Sequence, residues 1–116
     1  VTLDAEGQRG IICPMEHVLA ERTVEVSVNG QSVGTIRIEI GMPTKVDDDE
    51  WKIAVDIHGP GNEPPLQKHF VGIDAWQAIR HAFWIAVVLV ETRIDPDARV
   101  TFNGGDNWSC DVSRDP

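Results

Sequence analysis

Asp56 and His58 stand two residues apart in the segment WKIAVDIH. In an extended chain, side chains at that spacing point to the same side, so a carboxylate and an imidazole could share a proton or a cation. His69 could join them from a following strand if the register allows it. The plain alternative is a solvated polar face. Two protein ligands are too few for a metal site, so neither a metal nor a cofactor is expected. Cys13 and His17 in CPMEH could supply half of a metal site, but nothing pairs with them at a recognisable spacing. The acidic run Asp47 to Glu50 lacks the glycine and spaced oxygens of a calcium loop. There is no Gly-rich phosphate loop, CxxC, HExxH or GxSxG.

These residues must be positioned by strands. Val24, Val26 and Val28 alternate with polar neighbours in TVEVSV, as do Ile36, Ile38 and Ile40 in TIRIEI. Asn29-Gly30 between them predicts a tight hairpin, because both residues tolerate positive φ. In WKIAVDI the inward set is Trp51, Ile53, Val55 and Ile57, leaving Ala54, Asp56 and His58 outward. LQKHFVGI is a fourth strand of ambiguous parity, with a bulge expected at Gly72. Arg99 to Phe102 makes a short last strand. Asp74 is a helix N-cap with Gln77 at the capping-box position. The helix should run from about Ala75 to about Ile94, before Pro96. The expected fold is α+β: a four- to five-stranded antiparallel meander with one long helix packed across one face. We expect an extension over 1–19, a single domain over 20–105 and a tail over 106–116.

On the helix, Ile79, Phe83, Ala86 and Val90 form the expected sheet-facing stripe, widened by Ala75, Ala82 and Leu89. The opposite side carries His81 and, within the unbroken apolar run Ala82 to Val90, Trp84 and Val88. Something must cover Trp84 and Val88: the chain's own ends, a second copy or a foreign protein. A two-fold homodimer is the narrow favourite, with Trp84, Val88, His81 and Trp108 as interface residues. Trp51 and Trp76 are expected in the core.

The chain has 116 residues, 19 acidic against 10 basic, and a net charge of −9. Such a surface repels phosphate, which argues against nucleic-acid binding, and suits a basic partner. No apolar run reaches the length of a membrane span. No basic start with an apolar run marks a signal peptide, so we expect a cytoplasmic setting with Cys13 and Cys110 as free thiols.

AERTVEV (20–26), IGMP (40–43), the Trp51-led strand and GIDAWQAIRHA (72–82) occur in this order. Together they resemble a family of small bacterial domains with an ERT first strand and a glycine–(Val/Ile)–Asp–x–x–Gln–Ala helix start. The resemblance implies a cytoplasmic bacterial protein and carries no activity. Function is therefore expected to be that of a non-enzymatic protein-binding or assembly module. The alternative is a small enzyme with its site on the outer sheet face around Asp56, His58 and His69.

Overall fold

A computed structural model of the chain describes residues 17–106, 108 and 109. Its elements are β1 (Val18–Val28), β2 (Gln31–Gly41), β3 (Thr44–Asp47), β4 (Glu50–His58), β5 (Leu66–Gly72), α1 (Ala75–Arg93) and β6 (Arg99–Thr101). All pairings are antiparallel. The sheet runs β3-β4-β2-β1-β6, with β5 on β4. This is the expected α+β fold, an antiparallel sheet with one helix across one face, with six strands where four or five were expected and with β6 returning to pair with β1.

The alternation read from sequence is the alternation of the core. Val24, Val26, Ile36, Ile38, Ile40, Ile53, Val55 and Ile57 are all buried. The Asn29-Gly30 turn has φ of 52° and 81°, the two positive values a two-residue hairpin requires. One extra residue, Val33, is then accommodated between the pairs Val26↔Gly34 and Ser27↔Ser32.

Four local expectations are corrected. The acidic run, whose charges read as a connecting loop, is the tip of a β3–β4 hairpin: Asp47 ends β3 and Glu50 begins β4. β5 carries no bulge at Gly72; it pairs with β4 in unbroken register from Trp51↔Gly72 to Ile57↔Leu66. That register resolves its parity, placing Phe70 opposite Ile53 and Gln67 opposite Asp56. The helix buries Ala82, Ala86 and Val90 of the expected stripe, but its large members are displaced from the centre of the contact. Its buried residues are Ala78, Ala82, Ala86, Val87 and Val90, while Ile79 and Phe83 are only partly buried. Finally, Trp76 is 77% exposed instead of lying in the core.

The close seating of the helix on β5 has a steric basis. A Cβ on Gly72 would sit 2.5 Å from the Ala78 nitrogen and 2.9 Å from its Cα, so β5 and α1 meet backbone to backbone. The small Ala78 sits at this contact, while the larger Ile79 and Phe83 stand beside Ala20 of β1 and Ile38 and Ile40 of β2. The cap forms as read. Asp74 Oδ1 accepts from the Gln77 amide at 2.8 Å, and Gln77 Oε1 accepts from the Ile73 amide at 2.8 Å. The helix ends at Arg93, whose guanidinium donates to the Pro64 carbonyl.

Candidate functional site

Asp56 is the buried charged residue of the described core, at 1% exposure. It lies on the side of β4 away from the helix, with the parity expected, but it is not on a wet face. Glu39 on β2 is its register partner on one side and Gln67 on β5 on the other. His58, two residues along β4, is opposite Arg37. One ligand atom from each of Glu39, Asp56 and His58 lies within 4.8 Å of the others. His58 Nε2 is 3.5 Å from Glu39 Oε1, and Arg37 Nε is 3.3 Å from Glu39 Oε2. Asp56 Oδ1 and His58 Nε2 are buried and hydrogen-bond to nothing among the described residues.

Burial pushes the Asp56 carboxyl above its ordinary value, because the charged form is desolvated. The Gln67 hydrogen bond, and the nearby His58 and His69, pull it back; Glu39 pushes further up. The result is a carboxyl and an imidazole side by side with free lone pairs, donors of the kind that transfer protons or ligate cations. His69 is opposite Ala54, exposed and outside the close trio. Glu39 was missed by sequence reading. Its outward parity in TIRIEI was legible, but its place beside Asp56 depends on the β2–β4 register.

A second feature lies on the helix side of the sheet. α1 covers β4 and β5 and leaves β1 and β2 less covered, so a cleft of about 560 Å³ opens beside the helix. Ile38 and Ile40 form its floor; Ile79, Phe83 and Val87 form its helical wall; Trp76 stands at the edge. Trp108 also lines it and is buried at 8%. The Arg22 guanidinium holds Trp108 there by donating to its carbonyl, and stacks 4.4 Å from the Phe102 ring centroid. A smaller cleft of about 350 Å³ lies between Val26, Val33, Pro60 and Ile94. Neither cleft includes Asp56, His58 or His69.

Of the expected interface residues, His81, Trp84 and Val88 share one side of α1, and Trp108 lies apart from them. Trp108 packs on the core of its own chain. His81 Nδ1 lies 3.4 Å from the Val71 carbonyl oxygen, tying α1 to β5. Trp84 and Val88 are half-buried. The large exposed apolar side chains sit elsewhere: Trp76 at 77% and Ile73 at 63% lead the described residues, both at the start of α1. Residues Cys13 and Cys110, and most of the 1–19 extension, lie outside the described residues. No helix among the described residues is long and apolar enough to cross a membrane.

No curated protein and no solved structure matches this chain. A family model described as a domain of unknown function, DUF6968, matches residues 20–112. That span begins at the ERT strand and extends past Trp108, so it takes in the outer-face trio, the helix and the whole lining of the larger cleft. The chain belongs to the DUF6968 family.

Proposed function

We propose that this domain is a protein-binding module and that its recognition surface is the apolar cleft between α1 and the β1–β2 half of the sheet. The occupant is a segment of a basic partner protein that inserts an aliphatic or aromatic side chain over Ile38 and Phe83. The observation that carries this reading is a cleft of about 560 Å³, walled by aliphatic and aromatic side chains, with Trp76 77% exposed at its edge. Binding recesses are typically about 300–1,000 Å³ and mostly apolar. Interfaces draw most of their energy from a few aromatic anchors of this kind. The net charge of −9 speeds long-range encounter with a basic partner; at the cleft itself Glu21 stands with Arg22 and Arg80, so contact there rests on the apolar walls and not on local charge.

A second reading, a small enzyme using Asp56 and His58, is favoured by the buried carboxyl beside an imidazole. Catalysis also needs a recess that holds substrate against those groups. Both clefts described above lie away from them, which favours the binding reading.

The test is a photo-reactive amino acid at position 76, activated in the source cells. The captured protein is identified, purified and titrated against the domain by calorimetry. Trp76→Ala should weaken binding about 30-fold, the equivalent of roughly 2 kcal/mol. Ala20→Phe, which fills the cleft, should abolish it, and Lys52→Ala should change nothing. Affinity unchanged by Trp76→Ala and Ala20→Phe would sink the proposal. Cross-links joining two copies of this chain would replace the basic partner with a homodimer.

A further inference from the structure

We infer that Glu39, Asp56 and His58 form a binding site for one divalent transition-metal ion of the zinc or cobalt class. Two ligands on β4 alone do not make a metal site. The β2–β4 register adds the third, because Glu39 is the direct partner of Asp56. The three ligand atoms lie within 4.8 Å of one another. A tetrahedral ion with bonds of about 2.0–2.2 Å needs its ligands roughly 3.3 Å apart. Closing the trio therefore asks only for rotamer adjustments of Glu39 and His58, whose side chains are 18% and 23% exposed.

The independent observation is Asp56. A carboxyl at 1% exposure, with Oδ1 lacking any hydrogen-bond partner among the described residues, faces Glu39 and His58. An unsatisfied buried oxygen is costly, and a cation satisfies it together with His58 Nε2, which has no hydrogen bond and lies 3.5 Å from Glu39 Oε1. The surroundings match a metal site's outer ring. Gln67 hydrogen-bonds the Asp56 carboxylate, and Arg37 lies 3.3 Å from the Glu39 oxygen Oε2. Such partners orient ligating carboxylates. Two carboxylates offset a charge of +2. The imidazole selects first-row transition ions over magnesium and calcium, which take oxygen ligands. Three protein ligands leave a fourth position for water.

The experiment uses the full chain, stripped with chelator and titrated with zinc chloride by calorimetry and with cobalt(II) by absorption. One ion should bind per chain, with no thiolate charge-transfer band in the cobalt spectrum, and excess magnesium should not compete. Asp56→Asn, His58→Ala and Glu39→Gln should each weaken binding at least tenfold, while His17→Ala should leave it unchanged. The His58 ring signals in the NMR spectrum should move on adding zinc. If Asp56→Asn or His58→Ala fails to fold, Glu39→Gln and the His58 ring signals still decide. No saturation below about 1 mM, a thiolate spectrum, still His58 ring signals, or affinity insensitive to Glu39→Gln would each overturn the inference.

Discussion

Replacing Gly72 with alanine tests how α1 is seated, and through it how the cleft is built. In most settings Gly→Ala at a compatible backbone stabilises a protein by about 0.4–1 kcal/mol, by restricting the unfolded chain. Here the new Cβ would lie 2.5 Å from the Ala78 nitrogen, 2.9 Å from its Cα and 3.0 Å from the Gln77 carbonyl carbon. Ordinary contact begins at 3.4 Å, so the nearest atom must retreat by 3.4 − 2.5 = 0.9 Å. All three atoms are helix backbone and none can swing aside as a side chain would. Overpacking costs about 1–3 kcal/mol. With three backbone atoms struck together the upper part of that range applies, and subtracting the unfolded-state gain leaves a net loss of about 2 kcal/mol. Urea unfolding followed by circular dichroism should show a lower midpoint with an unchanged slope, and the melting temperature should fall by roughly 8 °C. A variant as stable as the wild type, or more so, would refute the backbone-to-backbone seating of α1 on β5.

Other perturbations separate cap, charge and surface. Asp74→Ala should cost about 0.5–2 kcal/mol in the same unfolding assay, and Asp74→Asn much less, since asparagine caps nearly as well; equal losses would mean that the carboxylate charge, not the cap, matters. Burial raises the folded-state value of Asp56 above its ordinary 3.8, so the folded chain binds the proton more tightly than the unfolded one. The resulting stability is fully present below 3.8 and is lost as pH rises through the raised value. In chelator-treated protein, Asp56→Asn should therefore gain on the wild type as the pH rises above 3.8, and a gap independent of pH would contradict the desolvation of Asp56. Trp76→Ala should shift unfolding stability by no more than about 0.5 kcal/mol, because the side chain is largely exposed; a larger loss would make Trp76 part of the fold instead of a recognition surface.

Local rules made the strands, the hairpin and the cap legible. Alternation set Val24, Val26, Ile36, Ile38, Ile40, Ile53, Val55 and Ile57 on one face, and all are buried. Asn29-Gly30 and Asp74 with Gln77 act through bonds and angles a few residues apart. What escaped depends on how elements meet. Apolar spacing alone draws the helical stripe through Ile79, Phe83, Ala86 and Val90. The seating instead follows the smallest residues, Gly72, Ala78 and Ala82, which let backbones approach. Trp76, in the first turn of the helix, lies outside the expected core and lines the cleft. Trp108 was assigned to a tail because its polar neighbours show no periodicity. It is held by Arg22, 86 positions away in sequence, a contact with no local signal. Asp56 and His58 were found from their spacing, whereas Glu39 joins them only through strand register.

The most direct test of the central claim is methyl NMR on the isoleucine and valine side chains, titrated with the basic partner captured at position 76. Binding in the cleft predicts that the methyls of Ile38, Ile40, Ile79 and Val87 shift and broaden together, while the amide signals of Asp56 and His58 on the opposite face stay still. Unmoved cleft methyls, with the response confined to Asp56, His58 and their neighbours, would contradict the claim and locate recognition on the outer face of the sheet.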